Sequence, residues 1–69
     1  MSINVTVIVQ KEDIWYVAKC LENNVASQGK TVEQALANLR EAIELYYEDE
    51  KPEITNKQVF LTTMEVAIN

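Results

Sequence analysis

Residues 27–49 read SQGKTVEQALANLREAIELYYED, and the punctuation of this stretch decides the fold. Gly29 is the chain's one glycine, and it falls where an extended run gives way to a helical one. Thr31 with Gln34 three positions on fits a capping box, in which the threonine oxygen accepts from the Gln34 N–H while the glutamine side chain reaches back. Glu33 adds negative charge to the first turn, where the helix dipole favours it. The helix is therefore expected to start at Val32, with Gly29 permitting a turn that a side chain would obstruct. Val32, Ala35, Leu36, Leu39, Ala42, Ile43, Tyr46 and Tyr47 recur at three- and four-residue steps and share one stripe. That stripe is about 24 Å long, enough to cross several strands. Glu41, Glu44 and Glu48 fall mostly outside it. Asp49, Glu50, Lys51 and Pro52 are expected to end the helix, although three acids there oppose the dipole.

Upstream, residues 3–10 (INVTVIVQ) alternate, with Ile3, Val5, Val7 and Val9 on one face of a predicted strand. Lys11, Glu12 and Asp13 make a polar break, and residues 14–21 form a second run rich in aromatic and β-branched residues. So short a gap predicts a hairpin. Glu22, Asn23 and Asn24 make the next turn, and residues 25–28 a short third strand. Beyond the helix, residues 59–68 predict a last strand with Phe60, Thr62, Met64, Val66 and Ile68 on its more apolar face. The expected fold class is α+β in one domain over 1–69, ordered β-β-β-α-β. One long helix packs on one face of a four-stranded sheet, by a right-handed crossover.

One helix cannot cover both sheet faces. With Ile14, Tyr16, Ala18 and Cys20 toward the helix, Trp15, Val17 and Leu21 point away, joined by Ile8 and by Val59 and Leu61 of the last strand. An apolar patch of that size predicts a protein partner or self-association. The chain has 69 residues and a net charge of −5, and its basic residues Lys11, Lys19, Lys30, Arg40, Lys51 and Lys57 are scattered. Nucleic-acid backbone binding needs clustered cations, so direct nucleic-acid binding is not expected. A basic protein surface is the better electrostatic counterpart. One cysteine and no histidine exclude an intrachain disulfide and leave no zinc ligand set. Cys20 reads as a small apolar core residue. A chain this small buries only about 60% of its unfolded surface, which favours homo-oligomerisation. No leader pattern and no bilayer-length apolar run is read, so the expected setting is cytoplasmic, without membrane contact.

The order Tyr16-Val17-Ala18, Ser27-Gln28-Gly29, Thr31, then residues 33–46 (EQALANLREAIELY) resembles the signature of the HicB-like antitoxin family. There a strand ending Y-V-A precedes S-Q-G-x-T-x-E-E-A-L-x-N-x-x-E-A-x-x-x-Y. The resemblance implies a partial ribonuclease-H-like fold that silences a HicA-like toxin, a small basic ribonuclease, by masking its RNA-binding and catalytic surface. Two features depart from the family pattern. Full-length relatives usually carry a C-terminal DNA-binding module, and none is read in this sequence, which leaves operator-linked autoregulation an open question. They also carry a longer insertion where this chain has Glu22, Asn23 and Asn24.

Catalysis is not expected. Two-metal hydrolysis needs convergent carboxylates. The resemblance implies one of them on the first strand, where residues 3–10 have neither Asp nor Glu. Glu41, Glu44 and Glu65 read as solvated acids, and Ser2 and Ser27 have no histidine to activate them. No catalytic residue, metal or cofactor is expected. The candidate partner-binding residues are Trp15 and Val17 on the open face, with Glu12, Asp13 and Glu22 in the flanking turns to meet a toxin's cations. Tyr46 and Tyr47 read as core and core margin. A stand-alone oligomeric regulatory or adaptor domain without a toxin partner is the alternative reading, and a residual metal-dependent nuclease a more distant third.

Overall fold

The computed structural model describes residues 3–49 and 58–69. Three strands, β1 (Val7–Glu12), β2 (Trp15–Cys20) and β3 (Ala26–Gly29), precede one helix, α1 (Val32–Tyr46). The sheet is antiparallel in the order β1-β2-β3. This is an α+β arrangement with the helix on one face.

Register places the side chains. Val7 pairs with Cys20, Val9 with Ala18, Lys11 with Tyr16 and Glu12 with Trp15. Tyr16 pairs with Gly29 and Ala18 with Ser27. Since alternate residues share a face, Val7, Val9, Tyr16, Ala18 and Cys20 lie together beneath the helix. Ala18, Cys20, Ala35 and Leu39 are buried, with Val5, Val7, Val9, Tyr16, Val25 and Ile43 packed around them. Cys20 is a free, buried thiol, as expected of a small apolar core residue.

The expected hairpin differs in detail. The first strand begins at Val7 rather than Ile3 and runs on to Glu12, leaving a two-residue turn of Asp13 and Ile14. Asp13 takes a left-handed φ of 57°, which aspartate tolerates better than most residues. Ile14 is therefore a turn residue, 71% exposed, and not part of the helix-facing row. In the second turn Asn23 Oδ1 accepts from the Val25 N–H at 3.0 Å, and Asn24 takes φ 62°. Side-chain closure of this kind is why asparagine pairs make compact turns.

The helix starts where its cap dictates. Thr31 Oγ1 accepts from the Gln34 N–H at 3.0 Å, while Gln34 Oε1 accepts from the Lys30 N–H at 2.6 Å. The reciprocal bond thus reaches the residue before the cap rather than the cap itself. Gly29 also has a different reason from the one expected, because its φ is not left-handed. A Cβ there would stand 2.6 Å from the Ala35 backbone nitrogen and 2.9 Å from the Gln34 carbonyl carbon. Close approach of helix to strand, and not turn geometry, requires the glycine. At the other end α1 stops at Tyr46. Tyr46 is exposed and stacks edge-on against Tyr47 at 4.9 Å, so it is not core. Glu50, Lys51 and Pro52 of the expected helix stop lie outside the described residues.

The expected fourth strand is absent among the described residues. Residues 58–69 form no strand and are exposed throughout, and within the segment Thr62 Oγ1 donates to the Thr63 carbonyl. Alternation in a sequence says which residues would share a face; it does not say which edge they find.

Candidate interaction face

The sheet face away from the helix is built from the other half of each strand. Ile8 pairs with Lys19, Gln10 with Val17, and Glu12 with Trp15; Val17 and Lys19 continue across to Gln28 and Ala26. Glu12, Trp15, Gln10 and Val17 therefore form one contiguous group beside the β1–β2 turn, with Asp13 at its tip. Trp15 is 36% exposed, and Ile8, Val17 and Leu21 are half-buried. The geometry is that of an aromatic and aliphatic strip rimmed by two carboxylates. Aromatics so placed are common anchors at protein interfaces.

This face is less apolar than the expected one. Lys19 sits in its middle, and Val59 and Leu61 do not join it as strand residues because residues 58–69 form no strand. Gln10 and Gln28 flank Val17 on either side and were not among the expected residues. The outward placing of Trp15 and Val17 was legible in the sequence; Lys19 and the flanking glutamines were not among the expected residues of this face, and the glutamines depend on register, which the sequence leaves open.

Glu22 belongs elsewhere. It lies beyond the far end of β2, roughly 20 Å of strand from Trp15. One carboxylate oxygen accepts from the Thr6 N–H at 2.8 Å, and the Cys20 thiol lies 3.6 Å from the same oxygen. The Thr6 backbone N–H, above all, holds the Glu22 carboxyl below its ordinary range. Leu21 N–H donates in turn to the Thr6 carbonyl at 2.9 Å. Glu22 is thus a brace that ties the segment before β1 to the β2–β3 turn.

A carboxyl whose folded pKa is depressed adds stability above its unfolded value, and that stability is lost as pH falls through the folded value. Glu22→Gln is expected to unfold at lower urea than the parent at neutral pH. The gap should close as pH drops below about 4.5, the ordinary value for the group. Urea midpoints from pH 7 to 3 measure this; a gap that does not change with pH would remove the charged brace.

At the helix C-terminus Asn23 Nδ2 donates to the Tyr47 hydroxyl at 3.2 Å, joining the same turn to the end of α1. Lys11 Nζ stands 5.7 Å from the Tyr16 ring centroid on the helix side of the sheet, so that cation is turned away from the Trp15 strip. Among the described residues no helix is long and apolar enough to cross a membrane.

No curated protein and no solved structure matches the chain significantly. A family profile does match, over residues 3–69, which takes in all three strands, the helix and the C-terminal segment. The chain belongs to the family of unknown function DUF7387.

Proposed function

We propose that this protein is a binding module of the antitoxin type, which neutralises a small basic RNA-cleaving toxin of the HicA-like kind by covering its RNA-binding and catalytic surface. The observation that carries the reading is the Trp15–Val17 strip, an uncovered sheet face rimmed by Glu12 and Asp13. An apolar anchor beside acids complements a surface made to hold phosphates. The strand–turn–cap–helix order from Tyr16 to Tyr46, shared with HicB-like antitoxins, supports the same reading. On it the chain follows a partial ribonuclease-H-like plan, with residues 59–68 as the fourth strand. It acts in the cytoplasm as a non-enzyme, without cofactor, nucleic-acid or membrane contact of its own.

The test is co-expression with the product of an adjacent small basic reading frame, followed by pull-down, sizing and assays of growth and RNA cleavage. A stable complex that restores growth and stops cleavage is expected. A chain that forms no such complex and persists as a folded oligomer alone would instead favour a regulatory adaptor. Within the complex, Trp15→Ala is expected to weaken toxin binding by roughly 30-fold, the effect of losing a hot spot worth about 2 kcal/mol. Its far-UV circular dichroism should match the parent, because Trp15 lies outside the buried cluster. Unchanged affinity in calorimetry would take Trp15 out of the interface.

A further inference from the structure

The β1–β2 hairpin carries two aromatic cross-strand pairs, one on each face of the sheet. On the helix side Lys11 pairs with Tyr16, and Lys11 Nζ stands 5.7 Å from the ring centroid, close enough for the ring's negative face to attract it. That pair holds its own cation. On the opposite face the neighbouring pair is Glu12 with Trp15. There the ring is present, but a carboxylate takes the place that lysine has on the helix side. The pair combines a cation-attracting ring with an anion, and neither member is a cation.

Both groups are accessible. Trp15 is 36% exposed, and Glu12 and Asp13 are exposed. Residues paired directly across two strands set their Cβ atoms about 5 Å apart, so one cation can touch the indole and reach the Glu12 carboxylate together. Asp13 adds a second negative charge at the turn, and the whole chain carries −5. Along the same face the charge reverses. Lys19 lies four residues beyond Trp15, about 13 Å along β2, with Val17 between them. The turn end of the strip therefore attracts a cation that the Lys19 end repels.

The shape of the pair selects among cations. A guanidinium is planar, stacks on an aromatic face and directs a fork of N–H groups at a carboxylate, whereas an ammonium is a compact, strongly hydrated point charge. An arginine stem has room over Val17, and long cationic side chains cover apolar surface in this way. The chain's one arginine, Arg40, is on α1, which packs on the opposite face of the sheet. A guanidinium on Trp15 thus comes from another molecule.

We propose that the Glu12–Trp15 pair is an arginine-reading site, in which a guanidinium of a basic partner protein stacks on Trp15 and donates to the Glu12 carboxylate, its stem lying over Val17. The proposal rests on the reading of this strip as a protein interface and names the chemistry it recognises. Asp13 strengthens the attraction without selecting arginine over lysine, and Lys19 fixes the direction in which a partner segment lies.

The test uses the full-length chain and two octapeptides of equal charge, one alternating arginine with serine and the other lysine with serine. Trp15 is the chain's one tryptophan, and the peptides contain none, so indole emission reports this face alone. The arginine peptide is expected to bind at least about 3-fold more tightly than the lysine peptide, and to change Trp15 emission. Glu12→Gln should bring the two affinities together. Asp13→Asn, which removes the same charge and suits the left-handed turn, should weaken both peptides alike and keep the preference. Trp15→Leu, followed by calorimetry with circular dichroism to check its fold, should abolish the preference. Lys51→Met with Lys57→Met should leave the emission of the chain alone unchanged. Equal affinities in the parent, a preference that survives Glu12→Gln or Trp15→Leu, or an emission change in the lysine variant overturns the proposal. A chain that neutralises a toxin yet shows no arginine preference loses this inference alone; one that prefers arginine but forms no toxin complex keeps it and loses the antitoxin reading.

Discussion

Leu39→Ala is expected to abolish cooperative unfolding, or to lower the midpoint so far that the variant is largely unfolded at 37 °C. Among the described residues Leu39 is the largest fully buried side chain, and Ala18, Cys20 and Ala35 complete the buried cluster. Truncating a buried leucine costs about 2–5 kcal/mol, counting both lost transfer energy and the cavity left behind. The whole chain is worth roughly 3–10 kcal/mol at typical stability per residue. Two of its buried neighbours are already alanines, so little side chain is available to collapse into the hole. Thermal and urea unfolding at several protein concentrations measure the loss while allowing for association. A midpoint that falls by less than about 5 °C, equivalent to about 1 kcal/mol for a chain of this size, would mean that the helix is not seated on the sheet through Leu39.

Gly29→Ala is expected to destabilise the fold by about 1–3 kcal/mol, although a conformational argument points the other way. Because Gly29 does not have a left-handed φ, alanine suits its backbone and would stabilise by about 0.4–1 kcal/mol through the unfolded chain. The close approach decides the sign. The new Cβ meets the Ala35 nitrogen at 2.6 Å, and Gln34 backbone at 2.9 Å, in the first turn of α1. Backbone cannot rotate aside as a side chain can, so relief requires the helix start to lift from β3. That movement pulls on the Thr31 cap and on Ala35 and Leu39 together. A melting temperature at or above the parent's would show that the helix shifts without loss, and would leave Gly29 without a packing role.

The two variants probe one design feature. A single helix can hold a three-stranded sheet only by lying very close to it. Gly29 and Ala35 give the approach, and Leu39 fills what remains. Closeness over β2 and β3 leaves β1 thinly covered. One face carries the Trp15 strip, and on the other side β1 is an edge strand that pairs with no further strand among the described residues.

Local signals in the sequence determined the local elements. The Thr31–Gln34 spacing located the helix start to the residue, because a cap is a bond between near neighbours. Period-two alternation assigned Tyr16, Ala18 and Cys20 to the helix side and Trp15 and Val17 to the other, since a pleated strand leaves no third choice. What depends on distant parts meeting was decided only by the tertiary structure. Register put Gln10 and Gln28 beside Val17, and the two-residue turn took Ile14 out of the core row. The helix's approach gave Gly29 its reason, and the Thr6 N–H turned Glu22 from an available acid into a brace. The same limit governs residues 59–68. Their alternation marks them as able to form a strand, but pairing is a property of two segments, and the chain alone names only one of them.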